Sequence, residues 1–427
     1  MSEAKLDFLD RSRAFWNPGK TQDWQDMGID LVIDRREGYY LYDMDGHRLI
    51  DLHLNGGTYN LGHRNSELVQ ALKAGSERFD MGNHHFPALA RTALAEALAA
   101  CAPSPDMRYT AYGSGGGEAI DIALKTARHA TKKRKIVSIV KAYHGHTGLA
   151  VKTGDDRFSK LFLSEDTEGE FVQIPFNDLN AMEDALRGRD VAAVIMETIP
   201  ATYGFPMPQE GYLPGVKQLC ERYDALYIAD EVQTGLMRCG EMWGCTKYGI
   251  EPDIMVTGKG IGGGIYPIAC VLISERCGGW LKEDGFGHIS TGGGAELGCI
   301  VAMKVLEMVQ RPEVRTMVRY ISDYMRAGLE QIMAAYPDFF IGIRQHGVVM
   351  GLEFNHEQGA KPVMKHLYNN GVWAIFSTLD PRVLQFKPGL LMTQADCEEV
   401  LRRVEIGVGL ARDEVMGASR HTYRKSA

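Results

Sequence analysis

The stretch Ile228-Ala229-Asp230-Glu231-Val232-Gln233-Thr234-Gly235 closes an apolar run that starts at Ala225, and Thr257-Gly258-Lys259-Gly260 closes a second, Ile254-Met255-Val256. Runs this short and this uniformly apolar read as strands buried on both faces, as in a parallel sheet covered by helices. Asp230 and Lys259 then stand at two strand ends, where such sheets bind their ligands. A buried aspartate there is costly unless it is paired. A lysine between glycines has room to swing its amine inward, although a lysine simply leaving a strand for solvent would look the same on its own.

The same texture extends in both directions. Residues 135–140, 191–196 and 268–273 are further apolar runs, and 119–130 and 212–223 carry helical spacing. This alternation predicts an α/β fold with a large, mostly parallel sheet flanked by helices. Ahead of it, Tyr39-Tyr40-Leu41-Tyr42-Asp43 and Arg48-Leu49-Ile50-Asp51 flank an Asp-Gly turn and read as a hairpin. Beyond residue 310 come a long amphipathic helix over 314–335, strands over 339–354 broken at Gly347, and a last helix over 397–411. The expected division is 1–60, 61–310 and 311–427, with the first and last segments forming a smaller α+β unit. The polar residues from about Gly417 read as a loosely held end.

Composition narrows the partners. The chain of 427 residues is 45% apolar and 24% charged, with a formal net charge of −8. Its one short basic run, Lys132-Lys133-Arg134-Lys135, argues against nucleic acid. No stretch approaches the ~20 apolar residues of a membrane helix, and the first residues lack the pattern of a signal peptide. The eight cysteines are scattered without metal-ligand spacing, so free thiols in a cytoplasmic protein are expected, and no metal.

Two more segments belong with the strand ends. Gly113-Ser114-Gly115-Gly116-Gly117 lies directly before a helix, whose free backbone N–H groups and positive end can hold a phosphate; a flexible loop would read alike. Tyr143 follows the run at 135–140, where an aromatic ring can cover one face of a planar ligand. With Asp230 and Lys259, these residues meet the needs of pyridoxal 5'-phosphate. Lys259 would form the Schiff base, Asp230 would keep the pyridine nitrogen protonated, and Gln233 would reach the ring hydroxyl.

Glu197, the block from Ile228 to Gly240, Pro252-Asp253-Ile254-Met255-Val256-Thr257-Gly258-Lys259 and His288-Ile289-Ser290-Thr291 resemble, in order and spacing, the signature of the class III (ω-type) aminotransferases of fold type I. The resemblance runs from the hairpin and Gly62-His63 to the final helix. It implies a seven-stranded sheet, bound pyridoxal 5'-phosphate, and a homodimer or dimer of dimers with shared active sites. By position it makes Lys259 the Schiff-base lysine and acid/base, Asp230 the partner of the ring nitrogen and Gln233 that of the ring oxygen. Tyr143 becomes the stacking ring, Gly116 and Gly117 the phosphate-holding backbone, and Thr291 a phosphate contact in the neighbouring subunit. Ping-pong transamination between an amine and a keto acid, aldehyde or ketone is the implied reaction; decarboxylases, racemases, aminomutases and phospho-lyases share the scaffold.

Departures from the pattern bear on substrate. Many members carry an arginine in a late Arg-Phe-x-Pro-Pro-Leu segment, partnered by a glutamate. Here the segment reads Leu384-Gln385-Phe386-Lys387-Pro388-Gly389-Leu390, so Gln385 takes the arginine's place while Glu197 persists. An amide cannot offer the charged two-pronged clamp of a guanidinium, and an unpaired Glu197 is expected to make the pocket more negative. The expected donor or product is then a cationic or neutral amine, such as a diamine or amino sugar, unless Lys387, Arg238 or a loop residue binds a carboxylate instead. Gly115-Gly116-Gly117 lacks the usual hydroxyls, which predicts fewer phosphate contacts. Gly292-Gly293-Gly294-Ala295-Glu296 is expected to loosen the interface loop and widen the entrance.

Overall fold

The structure, a computed structural model, describes residues 1–424, with side chains described through 417. Its centre is a sheet of seven strands: β1 (Met107–Gly113), β2 (Lys135–Ile139), β3 (Phe171–Ile174), β4 (Val191–Glu197), β5 (Leu226–Asp230), β6 (Ile254–Thr257) and β7 (Ala269–Ser274). They lie in the order β1-β7-β6-β5-β4-β2-β3. β7 runs antiparallel to both neighbours, and every other pairing is parallel. Each residue of β4 through β7 is buried, as the unbroken apolar runs require. β1 and the edge strand β3 are only partly covered, and their weaker apolar signal left them unread in the sequence.

Apolar layers cover both faces. Helix Gly116–Thr131 lays Ile120, Ala123 and Ala127 over Ile195, Ile228 and Val256. The opposite layer runs continuously into the C-terminal segment. That segment also completes the hairpin sheet: Val372–Trp373 pairs parallel with Arg48–Asp51, through Val372 opposite Ile50. Lys5, buried on the first helix, pins the same sheet by pairing with Asp43 at 2.8 Å and Asp30 at 3.3 Å. A second four-stranded sheet, including Val349–Phe354 and Asp380–Phe386, packs against helices Pro312–Ala335 and Ala360–Asn369, and the last helix, Gln394–Arg424, packs on those two helices. The last helix thus starts before and ends beyond the expected 397–411 and continues past Gly417; residues 425–427 lie outside the described part. Among the described residues, no helix is long and apolar enough to cross a membrane. All eight cysteines are free, seven of them buried.

This topology matters for one reason. Strands β2, β4, β5 and β6 point the same way, so their C-terminal residues collect at one edge of the sheet.

Candidate active site

At that edge lies a cavity of about 650 Å³. Its wall includes Gly116, Gly117, Tyr143, Glu197, Asp230, Gln233, Lys259 and Gln385, residues drawn together from four strand ends, the glycine loop and the C-terminal sheet. Thr291 is not among them: it is exposed and stands outside the cavity of its own chain.

The register between β4 and β5 sets Glu197 directly beside Asp230. Asp230 does not wait alone for a ligand. Its Oδ2 is 2.7 Å from Nδ1 of the buried His144, and Oδ1 accepts from Val232 N–H at 3.0 Å. Lys259 follows β6 with φ +46°, a left-handed conformation that costs a non-glycine residue about 1–3 kcal/mol and tends to persist at functional sites. Its side chain lies across a turn in which Leu54, Asn55, Gly56 and Gly57 all have positive φ. A Cβ on Gly56 would sit 2.9 Å from Lys259 Cε and 3.2 Å from Gln233 Oε1. Gln233 Nε2 is buried without a partner. Tyr143 is held edge-on by His146 and Phe158, with ring centroids 5.2 and 5.7 Å away. Helix Gly116–Thr131 begins after Gly115 with no side chain capping it, which leaves its first N–H groups free beside the cavity.

Glu197 corrects one expectation. It is not unpaired: its oxygens accept from Tyr143 N–H at 3.0 Å and Ala201 N–H at 3.1 Å. Burial pushes its carboxyl up to about 7; nearby His144 opposes this, and the neighbouring Asp230 adds to it. Glu197 therefore titrates near neutrality rather than holding a permanent negative charge. Burial also pushes the Lys259 amine down, against the pull of Asp230 and Glu197, so more of it is neutral and nucleophilic at a given pH.

A second expectation also fails. The glycine run after Thr291 is packed, not loose. Ideal Cβ atoms on Gly293 and Gly294 would lie 2.5 Å from Tyr112 O and 2.9 Å from Tyr112 Cγ, and both glycines are buried. As for the suggested carboxylate binders, Lys387 and Arg238 are both fully buried, and neither lines the cavity. Among the lining residues that escaped a site assignment from sequence are His53, Gly56 and His144. The Asn55-Gly56-Gly57 turn was a visible signal for the second. Nothing next to His144 along the chain points to Asp230 as its partner.

Known proteins bear on this site. A family described as aminotransferase class-III matches residues 21–406. An uncharacterized aminotransferase of Archaeoglobus fulgidus is 40% identical over 401 residues, which span 94% of this chain and 93% of that one. A putrescine aminotransferase of Pectobacterium atrosepticum is 29% identical over 392 residues, 90% of this chain and 81% of the relative. The solved ornithine aminotransferase of Toxoplasma gondii, with pyridoxal phosphate at partial occupancy in its active site, has a TM-score of 0.83 at 24% identity. That likeness covers 90% of this chain and 91% of the other, and shows a common fold. With one family spanning most of the sequence and a relative this similar along nearly all of it, the chain belongs to the class III aminotransferases, pyridoxal-phosphate-dependent transaminases of fold type I.

Proposed function

We propose that this transaminase takes its amino group from a primary amine without an α-carboxylate, a diamine fitting best, and passes it to a 2-oxo acid or an aldehyde. One observation carries the reading: among the described residues no arginine lines the cavity, whereas two carboxylates, Glu197 and Asp230, do. A cationic group at the far end of a diamine finds in Glu197 an acceptor held in place by two backbone N–H groups. The Pectobacterium relative, named for putrescine, supports the same substrate class.

The residues fit the cofactor. The orphaned Gln233 Nε2 needs an acceptor, which a ring oxygen supplies. The Asp230 carboxyl, oriented by His144, suits a protonated ring nitrogen. Free N–H groups at Gly116 and Gly117 suit a phosphate at a helix N-terminus. Tyr143 offers a ring face. Bound pyridoxal 5'-phosphate supplies an electron sink for the pair left when a proton leaves the amine-bearing carbon. Lys259 Nζ removes that proton, and in the second half-reaction returns one to the former carbonyl carbon. The two half-reactions share one cavity, which makes the kinetics ping-pong.

The same reading divides the chain at 1–60, 61–310 and 311–427 and makes it a cytosolic homodimer or dimer of dimers. Thr291 would reach the phosphate of the partner subunit. Its exposure supports this, as do the exposed Phe86, Leu89 and Phe286.

Initial rates with 1,4-diaminobutane and with glutamate test the donor class; a strong preference for glutamate sinks it. The pH dependence has a definite sign. Glu197 is neutral below about 7 and charged above it, so the KM for the diamine should fall as pH rises through that value. Glu197→Gln should flatten the profile and raise the KM about tenfold, the loss of roughly 1.4 kcal/mol from a charged hydrogen bond. Gly56→Ala tests the bed of the lysine. The new Cβ would displace Lys259, and misplacement by about 1 Å costs roughly 10²-fold in kcat. Steady-state kinetics with a thermal melt will show whether the loss is local; an unchanged kcat removes Gly56 from the site.

A further inference from the structure

We propose that Glu118 serves the neighbouring active site: from the first turn of the helix that opens its own phosphate cradle, it holds the 288–293 loop where Thr291 can reach the partner subunit's cofactor. This rests on the reading of Thr291 as a contact to that cofactor's phosphate. It makes Glu118 a positioning residue that acts through a loop and across the interface.

Glu118 is the third residue of helix Gly116–Thr131. It stays outside the cavity wall, although Gly116 and Gly117 belong to it. Its Oε2 accepts from Ser114 N–H and Ser114 Oγ, both at 2.7 Å. The loop before Thr291 meets the same side chain. His288 Nε2 lies 3.7 Å from Glu118 Oε1, and Lys125 Nζ, about two turns further along the helix, lies 2.9 Å from His288 Nδ1. Ser290 Oγ accepts from Gly293 N–H at 2.9 Å, which closes the loop around Thr291. A Cβ on Gly292 would come within 3.8 Å of Ser114 Cβ. Thr291 itself is exposed and has no hydrogen-bond partner in its own chain among the described residues. The loop is therefore fastened on both sides of Thr291, and that residue is left for another chain.

Helix capping alone does not account for Glu118. A glutamate at this position commonly reaches back to the N–H groups before the helix, and that covers Ser114. It asks nothing of residues 288–290. A negative charge in the first turn also opposes a phosphate, which the same N–H groups and the helix dipole favour. An acid here works against its own cradle unless other groups engage its charge. Burial raises the Glu118 carboxyl, but the Ser290 hydroxyl, the Ser114 donors and His288 together bring it below its ordinary value. Two of those three residues belong to the Thr291 loop. One carboxylate thus ties the glycine loop of its own cradle to the loop that serves the partner's.

Mixed dimers, isolated through different tags on two co-expressed chains, separate the two sites. Pyridoxal 5'-phosphate is titrated into the cofactor-free protein, and the absorbance of the lysine-bound cofactor is followed. Lys259→Ala in one chain silences that chain's site, so the signal reports the other. With Glu118→Ala in the silenced chain, the intact site should lose about tenfold in affinity, the worth of one charge-assisted hydrogen bond. With Glu118→Ala in the signalling chain, the change should stay below about threefold. If Glu118→Ala does not fold, Ser290→Ala, which leaves the helix untouched, should give the same loss from the silenced chain. A loss that follows the signalling chain, or no loss in either arrangement, would overturn the assignment. Thr291→Ala in the silenced chain keeps the underlying reading separate. No loss there would sink the partner contact itself, whereas a loss with Thr291→Ala and none with Glu118→Ala would strike only the role of Glu118.

Discussion

Lys259→Ala is expected to lower transamination by at least about 10⁴-fold, because one side chain both attaches the cofactor and moves the proton. Among the described residues, the one other lysine in the cavity wall is Lys20, which comes from the helix Pro18–Asp26 near the N-terminus. Lys387 is separated from the site by Gln385. Alanine leaves Asp230, Gln233 and the glycine loop in place, so cofactor binding should weaken without disappearing. Borohydride reduction followed by peptide mass mapping gives the decisive readout: the wild type should carry the cofactor fixed on the peptide containing Lys259, and the variant should carry none. Lys259→Arg should be as inactive as alanine. A guanidinium keeps the charge but cannot give up its proton at working pH, so this variant separates the need for a free amine from the need for a cation. A variant within tenfold of wild-type turnover would end the assignment.

What was legible in the sequence follows the range of the interactions. Asp230, Lys259 and Tyr143 could be placed because each ends or follows an apolar run, a local pattern that the parallel sheet turns into one edge. The pairing of His144 with Asp230 depends on which strands are neighbours, and nothing near residue 144 announces it. Glu197 looked unpaired because its partners are backbone groups: the chain turns after β4 and presents Ala201 N–H to it. The glycines at 292–294 looked slack for the opposite reason, since the close approach of Tyr112 from a distant strand is invisible along the chain. Lys387 reads as a surface residue by type, and only the fold shows it buried behind Gln385.

Asp230→Asn isolates charge from shape and should produce the second large loss. Asparagine keeps the volume, can still accept from Val232 N–H through Oδ1, and can donate to His144 if that ring presents its other tautomer. Only the negative charge opposite the ring nitrogen is removed. Breaking a buried charged pair costs about 3–5 kcal/mol, which corresponds to roughly 10²–10⁴-fold in rate when the pair matters most in the transition state. The loss should fall on kcat for both half-reactions, while the KM for the diamine, set by Glu197, shifts by less than about threefold. Proton removal then becomes fully rate-limiting, so a donor deuterated at the amine-bearing carbon should show a larger isotope effect in the variant than in the wild type. His144→Asn should cost only about tenfold, because it loosens the carboxylate without removing its charge. If Asp230→Asn instead raised the KM and left kcat intact, Asp230 would be a binding residue, and keeping the ring nitrogen protonated would fall to another group.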